Sequence, residues 1–139
     1  MSTTPVEEQE RIAREHFDRM WNHGEFDADV LGDDYHVVAN IGERQELTFE
    51  EFQGKIRHFR EAFPDLHKEP GDVVATDEKV VIPYTFTGTH ENELMEIPPT
   101  GNEVEISAVG IINVENGQIT KEWYVADFLR MMRQLGVAD

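Results

Sequence analysis

The hydrophobic pattern of the chain begins with two amphipathic helices. Apolar residues recur at helical spacing over residues 5–22 and again over residues 49–63. Thr48 and Glu51 have the spacing of a capping box, which predicts the start of the second helix. Pro64 is expected to end that helix, because proline cannot continue it.

Extended segments make up most of the rest of the chain. A short segment over 26–31 leads into an alternating run over 33–42, and a second short run covers 72–76. Three longer extended runs follow, over residues 79–90, 103–114 and 118–127. Helices followed by a long antiparallel meander predict one α+β domain spanning residues 1–139, with a curved sheet wrapped over the helices and a concave pocket.

Local signals refine the second half of the chain. Asn116-Gly117 between the last two runs predicts a tight hairpin. Pro83 has no N–H group to donate, so its strand is expected to lie at an edge of the sheet or to bulge there. A final helix is predicted over residues 127–135, closed by Gly136.

The charge of the chain limits its partners. There are 29 acidic and 12 basic residues, a net charge of −17, which argues against binding to nucleic acid or to anionic membranes. Without a basic, apolar leader or a run of about 18 apolar residues, the protein is expected to be cytoplasmic.

The same acidic surface predicts adaptation to high salt. Only four of the basic residues are lysines, and screening in molar salt removes most of the repulsion between surface carboxylates. We expect a protein from a halophile. Thermal melts from low to multimolar KCl test this, and equal stability at all salt concentrations would contradict it.

One acidic residue is predicted to face inward. Trp123, Val125 and Asp127 share one face of the last strand by alternation, which places the Asp127 carboxyl beside apolar surface. Desolvation there would raise its pKa towards the range useful for proton transfer. The alternative from local sequence is that Asp127 caps the final helix, and the two roles are compatible.

Several stretches resemble the SnoaL-like polyketide cyclase family. They are MWNHGEFD, FREAFPDLH, GTHENELMEIPPTGNEVEI and NGQITKEWYVADFLRMMRQLG, and the resemblance runs from about residue 8 to residue 136. It implies the cone-shaped α+β fold shared with nuclear transport factor 2 and ketosteroid isomerase. It also implies aldol-type ring closure without metal or organic cofactor, with Asp127 as the acid.

The resemblance also bears on polar residues elsewhere. His90 matches a family histidine at the pocket mouth, where it could orient a substrate oxygen or relay a proton; the alternative is a rim histidine bonded to its loop. Asn113 stands where the family has a histidine that assists the acid, which favours ligand binding over proton exchange at that position. His36 or its neighbour Tyr35 is expected to line the pocket. No metal site is predicted, since no two histidines have a ligating spacing.

Aromatic residues are expected to form the body of the pocket and to bind a small apolar or polycyclic molecule. Most of them are equally explained as core packing, and Trp21 and Trp123 are the best candidates for ligand contact. The set is Phe17, Trp21, Phe52, Phe59, Tyr84, Phe86 and Trp123.

Three functions are consistent with these features. The first is a cofactor-free cyclase or isomerase that uses Asp127. The second is a non-catalytic protein that binds a small apolar metabolite, and the third is a dimerisation module that pairs through Ile106, Ala108 and Gly110. A homodimer through the sheet is expected in each case.

Overall fold

The computed structural model describes residues 5–139 and shows an α+β fold in which helices cover one face of a curved, mostly antiparallel sheet. The helices are α1 (Val6–His23), α2 (Phe49–Ala62) and α3 (Phe128–Gln134), with a short 3₁₀ turn at Ala28–Val30. The strands are β1 (Leu31–Ile41), β2 (Glu43–Leu47), β3 (His67–Pro70), β4 (Val74–Ala75), β5 (Lys79–Thr89), β6 (Glu103–Glu115) and β7 (Gln118–Ala126). Among residues 5–139, none of the helices has the length and apolar character needed to cross a lipid bilayer.

The sheet follows the order β2-β1-β7-β6-β5-β3, and β4 pairs with β5 beside β3. Only β1 and β7 run parallel; the other neighbours are antiparallel. The inner face of the sheet, which includes Val80, Ile82 and Ile112, packs against the apolar faces of α1 and α2. The core therefore lies between the sheet and the two long helices.

The local signals for helix and hairpin formation are confirmed. Glu51 N–H donates to Thr48 Oγ1 at 3.2 Å and Thr48 N–H donates to Glu51 Oε1 at 3.0 Å, which completes the capping box of α2. At the β6–β7 turn, Asn116 and Gly117 have φ values of 52° and 79°, as a type I′ turn requires.

The prediction for Pro83 was wrong, because β5 lies inside the sheet and pairs continuously with β6. On its other side, β3 ends at Pro70 and β4 begins at Val74, so the neighbour is interrupted where Pro83 lacks a donor. The Pro83 carbonyl accepts from Gly71 N–H at 2.7 Å in that gap. A proline is tolerated inside the sheet because no strand residue needs its N–H.

The prediction of which sheet face mediates dimerisation was also wrong. Ile106, Ala108 and Gly110 point towards the helices and are buried. The opposite, outer face carries half-exposed apolar residues in cross-strand pairs. These pairs are Val109 with Val125 and Ile111 with Trp123. We call these four residues the outer apolar patch.

Candidate functional site

The inner cavity lies between the sheet and α1, α2 and α3. Its volume is about 20 Å³, roughly the room for one water molecule. Among the residues that line it, Lys68 is the one charged side chain. The lining consists of Trp21, Ile41, Phe59, Lys68, Tyr84, Phe86, Ile106, Ala108, Ala126, Phe128 and Met131.

Lys68 is buried among aromatic rings. Its Nζ lies 2.9 Å from the ring centroid of Trp21 and 4.7 Å from that of Tyr84. It donates one long hydrogen bond, of 3.4 Å, to the Tyr84 hydroxyl. Within residues 5–139, no carboxylate lies within 4.0 Å of this nitrogen. Lys68 is only 4 % exposed, so its nitrogen is removed from bulk water.

The backbone of Lys68 is fixed by α1. Asn22 Oδ1 accepts from Lys68 N–H at 2.7 Å, and Asn22 Nδ2 donates to the Lys68 carbonyl at 3.0 Å. On the other side of β3, Lys68 pairs with Phe86 of β5. These contacts on both sides aim the Lys68 side chain into the cavity.

The surroundings of Lys68 act in two directions, since burial favours the neutral amine and the aromatic faces around Nζ favour the ammonium. Desolvation lowers its pKa well below the ordinary lysine value, and the opposing attraction of Glu122 is the smaller effect. Burial raises the pKa of Tyr84, so its hydroxyl remains protonated and available as a donor. The cavity thus combines an amine that can accept a proton with a phenol that can donate one.

A second buried polar cluster lies behind the cavity and centres on Glu122. Its Oε1 accepts from the Tyr124 hydroxyl at 2.5 Å, while Oε2 accepts from the Tyr35 hydroxyl and lies 2.9 Å from His16 Nε2. Gly110 leaves room for Tyr124, since a Cβ there would lie 2.7 Å from Tyr124 Cε1. The cluster thus connects β7 to α1 through His16 and to β1 through Tyr35.

The Glu122 carboxylate is a fixed negative charge. Burial alone would raise its pKa, but attraction from His16 and the hydrogen bonds from His16, Tyr124 and Tyr35 outweigh burial and lower it. Because its oxygens are already occupied by donors, Glu122 is poorly placed to exchange protons with a ligand. Its effect on the cavity is electrostatic.

An open depression, which we call the vestibule, adjoins the inner cavity. It has a volume of about 360 Å³ and shares the wall residues Ile41, Phe59 and Phe128 with the cavity. Its remaining lining is Ala39, Gly42, Glu43, Gln45, Lys55 and Met95. Phe128 packs over Gly42, where a Cβ would lie 3.2 Å from Phe128 Cε1. Phe128 thus lines both the vestibule and the cavity that holds Lys68, together with Ile41 and Phe59.

The predicted inward orientation of Asp127 was wrong. Its side chain is exposed, and Oδ1 accepts from Arg130 N–H at 3.2 Å as the N-cap of α3. Asp127 borders a shallow groove on the outer face of the sheet and does not line the inner cavity. The helix-capping alternative is confirmed, while a catalytic role for Asp127 stays a prediction.

Three other predicted residues also lie outside the cavity. Trp123 belongs to the outer apolar patch, because Glu122 and Tyr124 occupy the inner face of β7. Asn113 is on the outer face of β6, paired with Lys79 and Lys121. His36 is exposed, and its partner in the alternation, Tyr35, points inward instead.

His90 is neither at a pocket mouth nor at a rim. It is fully buried, stacks near Phe63 with ring centroids 5.6 Å apart, and its Nδ1 accepts from Thr100 N–H at 3.2 Å. His90 is hydrogen-bonded to its own loop, as in the alternative given for it in the sequence analysis. It does not line the cavity.

Of the predicted aromatic residues, Trp21, Phe59, Tyr84 and Phe86 line the inner cavity. Phe52 packs behind them, with its ring centroid 5.7 Å from that of Trp21 and 5.5 Å from that of Tyr124. Their contact with a ligand stays a prediction.

Comparison with known proteins identifies the family. The sequence profile of the SnoaL-like polyketide cyclases matches residues 11–135. No curated protein matches the chain.

Solved structures from three Streptomyces species share the fold. AclR from Streptomyces galilaeus, a candidate hydroxylase, is 21% identical with a TM-score of 0.84, over 97% of this chain and 89% of that one. IdmH from Streptomyces antibioticus, a candidate polyketide cyclase, is 24% identical with a TM-score of 0.78, over 93% and 99%. TsrD from Streptomyces laurentii is 25% identical with a TM-score of 0.80, over 96% and 98%. The chain therefore belongs to the SnoaL-like polyketide cyclase family and has the nuclear transport factor 2-like fold.

Proposed function

We propose that the protein is a cofactor-free enzyme that carries out acid–base chemistry of aldol type on a small apolar keto compound. The reaction takes place at Lys68, and the inner cavity together with the adjoining vestibule forms the substrate site. The observation that carries this proposal is a lysine buried in an aromatic cavity without a carboxylate partner. Family membership supports keto chemistry, whereas the fold alone hosts several reactions.

The two polar groups of the cavity have complementary roles. The Lys68 amine, whose pKa is lowered by desolvation, accepts a proton from the substrate. The Tyr84 hydroxyl, held 3.4 Å from Lys68 Nζ, donates to the carbonyl oxygen on which negative charge develops. Acid–base catalysis of this kind supplies roughly 10²–10⁴-fold.

Turnover of a panel of β-keto esters and polyketide-like substrates tests the proposal. Lys68→Met is expected to abolish turnover, and Lys79→Met, which removes an exposed lysine, is the matched control. Asp127→Asn decides between Lys68 and Asp127 as the reacting group. Full activity of Lys68→Met together with loss in Asp127→Asn would overturn the assignment, and binding without turnover in every variant would indicate a non-catalytic binding protein.

We further propose that the protein is a homodimer that pairs through the outer apolar patch. Val125 is 37 % exposed and lies beside half-exposed Trp123, Val109 and Ile111, so pairing two copies would remove continuous apolar surface from water.

Sedimentation equilibrium tests this pairing. Trp123→Asp is expected to shift the protein to monomer, and Val137→Asp, at a similarly exposed apolar residue away from the patch, is expected to leave the dimer intact. A monomeric parent protein would refute the pairing.

A further inference from the structure

The Lys68 amine has the surroundings of a nucleophile. Lysines at a protein surface are hydrated and protonated, and so they attack carbonyl groups slowly. A lysine desolvated in an apolar pocket keeps its lone pair and becomes reactive. Lys68 fits the second description, since Trp21, Tyr84 and Phe86 surround its nitrogen with ring centroids at 2.9, 4.7 and 5.7 Å.

We infer that Lys68 forms a covalent imine with the carbonyl carbon of a small apolar ketone or aldehyde. This inference rests on the proposed function for its substrate class and adds a bond between Nζ and the substrate. The nitrogen lone pair attacks the carbonyl carbon, a C–N bond forms and the C=O bond breaks. The two amine protons leave with the oxygen as water, so no oxidant or reductant is needed.

Neighbouring groups support each stage of this condensation. The Tyr84 hydroxyl, 3.4 Å from Nζ, is placed to donate to the carbonyl oxygen as it becomes a leaving hydroxyl. A protonated imine is a cation, and the faces of Trp21 and Tyr84 would stabilise it. The Glu122 carboxylate, behind Tyr124, adds a fixed negative charge of the required sign.

The position of the amine is fixed before a ligand arrives. Asn22 holds the backbone N–H and carbonyl of Lys68, while the rings of Trp21 and Tyr84 enclose Nζ, so little further ordering is needed during the reaction. The apolar walls exclude bulk water, which protects an imine from hydrolysis.

Access to Lys68 runs through the vestibule. The inner cavity, of about 20 Å³, is too small for a ketone, whereas the vestibule of about 360 Å³ is large enough. Ile41, Phe59 and Phe128 line both spaces. A carbonyl compound that waits in the vestibule would reach the amine through this shared wall, and Phe128 is the residue of the wall chosen for the test of this route.

Acetylacetone is a suitable reagent for this site. Its two carbonyls make it a small β-diketone, and condensation with an amine gives a stable conjugated enaminone that absorbs in the near ultraviolet. The protein is incubated with acetylacetone at neutral pH, the absorbance is followed, and peptide mapping by mass spectrometry locates the adduct. We expect one adduct per chain, at Lys68, formed faster than at any other lysine, since a lowered pKa raises the neutral fraction of the amine.

Two variants control the reaction. Lys68→Met is expected to remove the absorbance, and Lys79→Met, which removes an exposed lysine outside the cavity and the vestibule, is expected to leave it unchanged. If Lys68→Met does not fold, the peptide map of the unsubstituted protein decides the question. An unmodified Lys68 under conditions that modify Lys79 would overturn the inference.

The outcome is separable from that of the proposed function. An adduct at Lys68 without turnover of any keto substrate would refute the proposed function and leave the imine standing. Turnover that depends on Lys68 but gives no adduct would overturn the imine and leave Lys68 as an acid–base group.

Discussion

Replacing Lys68 with methionine should change how the stability of the protein depends on pH. Methionine has a similar length and no charge, so the substitution removes the titrating group and keeps most of the packing. In the unfolded chain the Lys68 pKa is about 10.4, whereas burial lowers it in the folded protein. The groups that face Lys68 from β5 and β7, namely Tyr84, Tyr124 and Glu122, are the same in both proteins.

The direction in which stability changes with pH follows from proton binding. Between the lowered folded-state pKa and about 10.4, the unfolded chain holds a proton on Lys68 that the folded chain has lost. The free energy of unfolding of the parent protein therefore contains a contribution that rises by about 1.4 kcal/mol per pH unit in that range. Lys68→Met lacks this contribution. Its stability advantage over the parent is greatest at low pH and shrinks by about 1.4 kcal/mol for each pH unit between the lowered folded-state pKa and about 10.4.

Urea unfolding followed by far-ultraviolet circular dichroism measures this difference at a series of pH values. Other groups that titrate in the same range cancel, because both proteins contain them. Lys79→Met, at an exposed site, is the control and should differ from the parent by a constant amount. Parallel stability profiles for the parent and Lys68→Met would refute the neutral buried amine.

Three further substitutions test the surroundings of the site. Glu122→Gln should lower the free energy of unfolding by about 3–5 kcal/mol in thermal or urea unfolding, because it replaces a buried carboxylate that accepts from three side chains; an unchanged midpoint would contradict that role. Asp127→Ala should lower stability by about 1 kcal/mol through loss of the α3 cap and leave the rate of acetylacetone addition unchanged, and a large fall in that rate would return Asp127 to the reaction. Phe128→Ala should join the vestibule to the cavity and raise the rate of adduct formation at Lys68 several-fold, whereas no change would place the access route elsewhere.

The elements with clear periodicity could be predicted from the sequence. Helix α2 has a capping box and a regular apolar stripe, and the β6–β7 hairpin has an Asn-Gly turn, so local chemistry determines each of them. Strands β2 and β3 were missed because their sequences, ERQEL and HKEP, are short and polar. Because β3 is not predicted from the sequence, Lys68 is not identified as a buried residue. The burial of its side chain follows only from the alternation of that strand.

The orientation of β7 shows a different limit of prediction from the sequence. Both alternating sets on this strand include apolar residues, and the more apolar set, with Trp123 and Val125, lies outside. A shift of one residue exchanges the two faces, so choosing the apolar set reversed the orientation of Asp127 as well. What makes Glu122 acceptable inside is its contact with His16 and Tyr35, which lie 106 and 87 positions away along the chain. No local pattern contains that information.

The most direct test of the account is the protonation state of Lys68. The chain has only four lysines, so a protein labelled with carbon-13 at the lysine side chains gives few Cε signals, and the one missing from Lys68→Met belongs to Lys68. A titration of that signal should have a midpoint well below about 10.4. A Lys68 signal that titrates together with those of Lys55, Lys79 and Lys121 would contradict the central claim.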